Sequence, residues 1–317
     1  MRSFTFDWTL SHAKERNLPG CEKIPATVPG AIGLDYARAM KYPPYYYEKN
    51  FESFTWMEDE YFFYEAELDF ALSEGESAFL CLDGVDYEYD VDVDGEKIYY
   101  AEGMFAPAHL DVSRFKGNKH RLTVTVYPIP KSKTARRPYT REEARESCKP
   151  SAAYTMDWHP RLVSTGIWKD ARLEIHGAAA LKLDASYRLS DALDLATVTL
   201  ELETFGEGVE EIELLSPDGD VIYNTLLPFS GGVVTHEFTV DHPLLWYPRG
   251  YGDHPIYTLN ARCAGKLLSR KIGFRRVKLL RNFEDTIPAE KGWPKTRYAA
   301  PATIEINGVR VFAKGTN

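Results

Sequence analysis

Apolar and polar residues alternate along much of the chain, and this period of two predicts β-strands. In Tyr87–Val93, tyrosines and valines alternate with acidic residues, and in Arg121–Tyr127 apolar residues alternate with threonines. Successive side chains of a strand point to opposite faces, so each run offers one apolar face to a core. Asp94-Gly95 directly follows the first run and predicts a tight hairpin turn into Lys97–Tyr100.

The acidic residues of the first run share the face opposite the apolar one; they are Glu88, Asp90 and Asp92. We expect a solvated face rather than a metal site, because no further ligands are evident nearby. The pair Glu142/Glu143, in a charged segment of the long connection 128–150, is likewise expected to be surface charge.

A second unit begins near residue 178 and contains shorter, regularly spaced β patterns. Its predicted strands are Leu181–Leu189, Ala196–Thr204, Glu211–Ser216, Val221–Leu226, Val234–Val240, Ile256–Ala264 and Lys266–Ile272. About seven short strands in about 100 residues are typical of a small β-sandwich. Near the N-terminus, by contrast, Ala31–Met40 predicts one short helix, and the aromatic run Tyr42–Tyr47 is expected to pack across a sheet edge.

The stretch Tyr154–Trp168 concentrates chemistry within fifteen residues: two tryptophans, a tyrosine, an aspartate, a histidine and an arginine. Pro160 and Gly166 exclude a regular helix, so a loop is predicted. Polar groups beside flat apolar faces suit sugars, which have hydroxyls to bond and CH faces to stack. The alternative is the start of a strand whose aromatic residues only fill a core.

Composition narrows the class of protein. The 317 residues are 44% hydrophobic and 13% aromatic, and the net charge of −9 argues against nucleic acid or an anionic membrane as partner. The four cysteines lie far apart, which indicates reduced thiols in an intracellular protein. The N-terminus has no apolar signal core, and no run reaches the roughly 18 apolar residues of a membrane span. A cytoplasmic location is therefore expected.

Common catalytic and cofactor motifs are absent from the sequence. We find no GxGxxG before a helix, P-loop, HExxH or GxSxG motif, and the eight histidines do not pair at metal-ligand spacing. We therefore predict no cofactor, no metal and no catalytic residue in this chain.

Several segments resemble glycoside hydrolase family 2, in an order and spacing that fit nearly the whole chain. Val91–Lys97, with Gly103–Pro107 and His109–Val112, resembles its sugar-binding domain, and Asp157–Trp168 resembles the "WDWGPRLVTSGIW" segment of its β-mannosidase branch. Pro243–Gly252, Pro255–Tyr257 and Ile272–Arg275 look like the end of its immunoglobulin-like domain, and Ile306–Asn317 is similar to the start of its (β/α)8 barrel.

The resemblance implies an all-β chain with a galactose-binding-like jelly roll followed by an immunoglobulin-like β-sandwich. The expected domains are 1–177 for the jelly-roll sugar-binding domain, 178–277 for the sandwich, and 278–317 for a linker and the first hairpin of a TIM barrel. The hairpin around Asn307-Gly308 has no evident sheet to join, so we expect a chain cut from a longer protein.

The function implied by the family is that of a retaining exo-glycosidase acting on terminal β-linked sugars. Among these sugars, β-mannosides are the first choice of substrate. Its two catalytic glutamates lie on barrel strands, so this chain alone is expected to be an inactive N-terminal part. Alternatives are a β-galactosidase or β-glucuronidase type of family 2 enzyme, or an independent carbohydrate-binding module. The expected partners are a carbohydrate and the protein's own barrel. The oligomeric state is left open.

Three residues carry over as candidate substrate-binding groups: Asp157, Trp158 and Met156. In the β-mannosidase branch, the aspartate of "WDW" bonds the sugar; Asp157 matches it, and Trp158 matches the second tryptophan. Met156 stands in place of the first tryptophan, and His159 in place of the glycine, so we expect specificity to differ there. The alternative for Asp157 is a structural salt bridge with Arg161. Arg161 and Trp168 are expected to be structural.

Overall fold

The computed structural model describes residues 2–17, 20–263, 266–281 and 302–315. The chain divides into two compact units, Met1–Gly177 and Ala178–Asn317. Strands predominate in both units, so the all-β class predicted from the sequence is confirmed. Within the described ranges, no helix is long and apolar enough to cross a membrane.

The first unit is built from short strands with few helices. Its strands are β1 (Arg2–Thr5), β2 (Thr9–Ala13), β3 (Ile24–Pro25), β4 (Tyr61–Leu68), β5 (Ser77–Leu82), β6 (Val85–Asp86), β7 (Glu88–Val93), β8 (Glu96–Glu102), β9 (Ala108–Asp111), β10 (His120–Val126), β11 (Gly166–Ile167) and β12 (Ala171–His176). The helices are α1 (Ile32–Ala39) and the 3-10 segments Asn50–Asp59, Ser113–Phe115, Arg141–Ala144 and Ser151–Tyr154.

Two antiparallel sheets supply the core of this unit. One has the order β3-β2-β4-β10-β7-β8, the other β1-β12-β5-β9, and β11 pairs with β6. The alternation predicted for β7 and β10 holds: Val91 and Val124 pair across the strands and are fully buried, and they share one apolar cluster with Leu80 and Leu173 of the other sheet. The cluster therefore joins the inner faces of two sheets, as in a jelly roll.

The outer face of β7 is not solvated, contrary to the expectation from its acidic pattern. Asp90 is fully buried and Asp92 nearly so. The segment before β3 brings Arg16 over this face, where its guanidinium lies 2.8 Å from Asp90 and 3.3 Å from Asp92, and Lys97 lies 3.2 Å from Asp90. The pattern identified the face correctly, but a distant basic side chain covers it.

The aromatic run after α1 does not pack as one block. Tyr42 packs against Phe54, whereas Tyr45, Tyr46 and Tyr47 are exposed. The expected clamp across a sheet edge is therefore wrong for most of the run.

The second unit contains β13 (Ala179–Leu189), β14 (Leu195–Leu215), β15 (Val221–Asp241), β16 (Tyr257–Cys263), β17 (Lys266–Ile272), β18 (Val277–Arg281), β19 (Ala302–Ile306) and β20 (Val309–Val311). The main sheet has the order β13-β14-β16-β17, and β15 pairs with β14. Apolar residues from both halves of β14, such as Val198 and Leu214, belong to one core cluster.

Two pairs of predicted short strands are merged in the structure. Ala196–Thr204 and Glu211–Ser216 fall largely within β14, and Val221–Leu226 and Val234–Val240 lie within β15. Gly206 has a positive φ where the register shifts, so the long strand bends there instead of ending. The spacing of the short β patterns had predicted a break at this point.

The Asn307-Gly308 hairpin does join a sheet, which corrects the expectation from sequence. β19 pairs with β18 as well as with β20. The Asn307 side chain donates to the carbonyl of Trp246 at 3.0 Å and accepts from the backbone N–H of Arg276 at 2.8 Å. Part of the predicted linker, residues 282–301, and the last two residues, 316–317, lie outside the described residues.

Candidate functional site

The stretch Tyr154–Trp168 forms a loop with a tight turn at its exposed end. The backbone N–H of Met156 donates to the carbonyl of His159 at 2.9 Å, and that of His159 donates back at 3.1 Å. Asp157 and Trp158 therefore occupy the two tip positions of a hairpin-like turn. Thr155 precedes it with φ 141°, a conformation that a β-branched residue adopts only under constraint.

The tip is open to solvent. The side chain of Trp158 is 75% exposed, and Asp157 is exposed beside it. Within the described ranges, Asp157 makes no hydrogen bond or ion pair, and the structural salt bridge with Arg161 is not formed. A carboxylate with free lone pairs next to an exposed indole can accept hydrogen bonds from a ligand and stack against it.

The residues on either side hold the turn in place. Met156 is half-buried, and its sulfur lies 3.5 Å from a guanidinium nitrogen of Arg141. Nδ1 of His159 lies 2.6 Å from the carbonyl oxygen of Pro160, so this nitrogen carries the proton and donates it. The substituted residues Met156 and His159 thus belong to the base of the turn, while the tip keeps the aspartate and tryptophan.

Below the turn, Arg161 is the centre of a buried ion network. Its Nε and Nη2 donate to the two carboxylate oxygens of Glu58 at 2.8 and 2.6 Å, and Nη1 lies 2.7 Å from Glu143. Lys131 adds a second cation 3.2 Å from Glu58. Burial opposes the charge of Arg161, but the two carboxylates outweigh it and raise the pKa of the guanidinium. A planar guanidinium can bind one carboxylate with two parallel N–H groups and a second carboxylate with another, which explains why an arginine occupies this position.

Glu143 is therefore not a surface charge, which corrects the sequence expectation for the Glu142/Glu143 pair. Glu143 is buried against Arg161, whereas Glu142 pairs with Arg145 at the surface. Arg161 thus binds both Glu58 and Glu143. The arginine also lies over the rings of Tyr139 and Tyr154, at 5.2 and 5.4 Å.

A second buried ion pair fixes the later part of the loop. Nζ of Lys149 donates to both carboxylate oxygens of Asp86 at 2.6 and 2.7 Å, and to the carbonyl of Ser164 at 2.7 Å. Burial raises the pKa of Asp86 and lowers the pKa of Lys149, while the mutual attraction of the pair acts against both shifts. The pair joins β6, the long connection and the loop.

A cavity of about 520 Å³ lies beside the turn. Its wall is mainly apolar and comes from the start of α1, the Asn50–Asp59 helix and residues 150–165, with His159, Arg161 and the exposed Tyr45 among its polar and aromatic members. Its size falls within the range of small-ligand pockets. Of the turn residues 156–159, His159 lines this cavity.

Trp168 has a structural position at the end of the loop. Its indole N–H donates to the carbonyl of Met104 at 2.8 Å, and Lys169 and Phe105 cover parts of its rings. It is half-buried rather than in the core. The structure also contains no cluster of three or more histidine, cysteine or acidic side chains suited to a metal, as far as the described residues go.

Sequence reasoning predicted the loop but not the residues that support it. Glu58 and Glu143 are separated from Arg161 by long stretches of chain, and no local pattern relates the three residues. In the sequence, only the place of Arg161 between Pro160 and the apolar pair Leu162-Val163 hints at its burial.

Comparison with known proteins gives the chain its context. The family described as "Glycosyl hydrolase 2 galactose-binding domain-like" matches residues 8–169. β-Mannosidase B of Emericella nidulans is 24% identical over 97% of this chain and 38% of its own length. β-Mannosidase B of Thermothelomyces thermophilus is 27% identical over 77% of this chain and 30% of its own length. The chain thus spans well under half the length of these curated relatives.

Solved structures show the same fold at low identity. A β-D-mannosidase from Dictyoglomus thermophilum superposes with a TM-score of 0.72 at 21% identity, covering 99% of this chain and 40% of that one. An exo-chitosanase from Amycolatopsis orientalis superposes with a TM-score of 0.62 at 17% identity, covering 98% of this chain and 36% of that one.

Proposed function

The chain belongs to glycosyl hydrolase family 2. From this premise we propose that it is the non-catalytic N-terminal part of a retaining exo-glycosidase that hydrolyses terminal β-linked sugars. The substrate we propose first is a β-mannoside. The observation that carries the proposal is the Asp157-Trp158 tip, which is exposed and unpaired among the described residues and stands on a buried ionic base. The names of the relatives, β-mannosidase B, support the choice of sugar.

The proposed domains follow the family pattern. Residues 1–177 are a jelly-roll sugar-binding domain, 178–277 an immunoglobulin-like sandwich, and 278–317 a linker with the first hairpin of a catalytic barrel. Relatives that are more than twice as long support a longer parent protein, in which the barrel supplies two catalytic carboxyl groups about 5–5.5 Å apart. The four free cysteines support a reducing, cytoplasmic location.

In this proposal the chain forms one wall of the active site and positions the sugar. Asp157 accepts hydrogen bonds from two neighbouring hydroxyls of the terminal sugar, and Trp158 covers one of its apolar faces. Met156, with its flexible and less bulky side chain, replaces an aromatic wall and is the point at which specificity differs from that of the β-mannosidase branch.

The test uses the longer parent protein and an aryl β-mannoside. Asp157→Asn keeps the shape but removes the charge, and a charge-assisted hydrogen bond is worth about 1.5–3 kcal/mol, so kcat/KM should fall about 10- to 100-fold. Asp170→Asn, at another exposed aspartate of the same unit, is the matched control and should have little effect. Equal activity of the two variants would remove Asp157 from the site.

The alternatives are separated by two further measurements. Met156 and His159 differ from the residues at these positions in the β-mannosidase segment, so the preferred sugar has to be measured. Turnover of aryl β-mannoside, β-galactoside and β-glucuronide by the parent protein identifies the preferred substrate. Hydrolysis by the 317-residue chain alone would contradict its non-catalytic role. Sugar binding at the Asp157-Trp158 turn without the rest of the protein would favour an independent carbohydrate-binding module.

A further inference from the structure

The long connection of the first unit is strongly basic over residues 131–149, although the chain as a whole is acidic. These residues include seven lysines and arginines and three glutamates, a formal charge of +4, whereas the whole chain carries −9. Three of the cations are used in ion pairs within the unit: Lys131, Arg145 and Lys149. The other four are exposed and form no ion pair with a described residue; they are Lys133, Arg136, Arg137 and Arg141.

The carboxyl group of Glu142 shows the effect of this charge. It accepts a hydrogen bond from the backbone N–H of Arg136 at 2.9 Å, and the guanidinium groups of Arg145, Arg136 and Arg137 add positive charge nearby. Together they lower the pKa of Glu142, with the backbone hydrogen bond as the largest cause. One carboxylate does not neutralise three arginines, so the field at this surface attracts an anion.

Arg141 is the member of this basic segment that lies beside the exposed turn. Its Nη1 donates to Sδ of Met156 at 3.5 Å. A thioether sulfur is a weak acceptor, so this contact orients the guanidinium without neutralising its charge. Met156 is followed directly by Asp157, whose carboxylate is exposed. The turn therefore has an acceptor at its tip and a cation at its base.

The backbone on both sides of Arg141 is attached to the buried network of Arg161. Tyr139 precedes Arg141 with φ 59°, in the left-handed region, and the centre of its ring lies 5.2 Å from the guanidinium carbon of Arg161. Glu143 follows in the 3-10 segment Arg141–Ala144, and its carboxylate lies 2.7 Å from Nη1 of Arg161. The place of Arg141 beside the turn is thus fixed before a ligand arrives, which reduces the cost of binding.

The chemistry of Arg141 is suited to an oxyanion. A guanidinium only donates, and its planar fork of N–H groups matches two oxygens of a carboxylate, phosphate or sulfate. Asp157 only accepts when ionised, so it suits hydroxyls and repels an anion. A cation beside Met156 offsets that repulsion. Asp157 and Arg141 together therefore fit a ligand that has hydroxyls to donate and one oxyanion to accept.

We propose that Arg141 is a specificity-determining residue that binds an oxyanion on the terminal sugar, so that a sugar with a carboxylate, phosphate or sulfate group is preferred over the neutral sugar. This role rests on the proposed glycosidase function and names the substrate class of the same site. It also gives a reason for Met156, whose thioether contacts the guanidinium at the position where the β-mannosidase segment has a tryptophan.

The test compares four forms of an aryl β-mannoside as substrates of the parent protein: the neutral sugar, its C6 carboxylate, its 6-phosphate and its 6-sulfate. If another sugar is preferred, the same four forms of that sugar are used. We expect one anionic form to exceed the neutral form in kcat/KM by about fivefold or more, the size of one ionic hydrogen bond at an exposed site. Salt at about 0.5 M should reduce this preference, because it screens exposed charges.

Substitution of Arg141 should remove the preference. Arg141→Gln keeps a polar side chain without the charge, and the ratio of kcat/KM for the anionic form to that for the neutral form should fall about fivefold to tenfold. The change should lie in KM, because the oxyanion is bound equally in the ground state and the transition state. Arg141→Lys keeps the charge but loses the fork, so it should retain part of the preference.

Arg137→Gln is the matched control. Arg137 is another exposed arginine of the same segment, and within the described ranges its side chain makes no contact with the turn. This variant should leave the ratio unaltered, and melting temperatures close to that of the unmodified protein show that the variants are folded. Saturation-transfer NMR of the parent protein and of Arg141→Gln, with D-mannuronate and D-mannose as ligands, adds a measurement that needs no turnover.

Three outcomes would overturn the proposal. The first is a neutral form that is the best substrate and the better NMR ligand. The second is an unchanged ratio in Arg141→Gln, including an equal loss for both forms, because Arg141 would then hold the turn or pair with Asp157. The third is an equal effect of Arg137→Gln, which would indicate only the general field of the segment.

Failure of the proposed function is recognised separately. If the parent protein hydrolysed no aryl glycoside, the glycosidase function would fail, and the NMR comparison would still decide whether Arg141 selects an oxyanion. Conversely, loss of turnover of the neutral aryl β-mannoside in Asp157→Asn supports the glycosidase site whatever the result for Arg141.

Discussion

Asp157 and Arg161 are four residues apart in one loop and have opposite surroundings. Arg161 is buried and bound by Glu58 and Glu143, whereas Asp157 is exposed and, within the described ranges, unpaired. The difference shows that interactions within the unit hold the base of the loop, while the tip is accessible to solvent. A binding group is most useful when its support is rigid before the ligand arrives.

The two regions should also respond differently to substitution. A buried charge is tolerated only while its partners compensate for its lost hydration, so loss of one partner is costly. An exposed side chain without contacts contributes little to the folded state. Stability should therefore depend on the base of the loop and ligand binding on the tip, and the following changes test that separation, beginning with the largest expected effect.

Arg161→Met should destabilise the chain the most. The change leaves Glu58 and Glu143 buried with far less compensation, because among the described residues only Lys131 remains as a cation beside Glu58. We expect the free energy of unfolding to fall by about 3–5 kcal/mol, measured by urea denaturation with tryptophan fluorescence.

Arg145→Met is the matched control for that change. Arg145 pairs with Glu142 at the surface, 2.9 Å away, and its loss should change the free energy of unfolding little. If both arginine substitutions had the same small effect, the buried network would not be the support of the loop.

Lys149→Met should have the next largest effect, because it leaves Asp86 buried without its cation. We expect a loss of about 3 kcal/mol in the same urea experiment. The double variant Lys149→Met/Asp86→Asn removes both charges and should recover part of this loss. Additive effects of the two single substitutions would show that the pair is not coupled.

Trp158→Ala should change stability least. The indole is 75% exposed, so its removal should alter the free energy of unfolding by no more than about 0.5 kcal/mol. The same change in the parent protein should raise KM for an aryl β-mannoside. A large loss of stability would show instead that the tryptophan belongs to the fold and that the tip is not separate from its base.

Local patterns predicted much of the fold. The alternation in Tyr87–Val93 corresponds to β7, Asp94-Gly95 forms the hairpin turn with both φ angles positive, and α1 lies within the predicted Ala31–Met40. The same reasoning failed at Gly206, where a positive φ lets β14 bend and continue. A glycine can end a strand or bend it, and the choice depends on what packs around it.

The candidate site divides in the same way. The composition of Tyr154–Trp168 and its two helix-breaking residues indicated a loop that presents polar and aromatic groups, and the family resemblance singled out Asp157 and Trp158; the structure has both at the tip of a turn. The burial of Glu143 was missed, because its sequence neighbours are charged and the arginine that covers it comes from another segment.

By itself, the sequence determined most of the strands, their apolar faces and the tight turns, because alternation and turn chemistry depend on neighbours in the chain. Only the tertiary structure decided which charges are buried. Asp90 and Glu143 look like surface acids until Arg16 and Arg161 come over them. Whether a carboxylate is solvated or paired depends on which distant segment packs against it, and no local pattern contains that information.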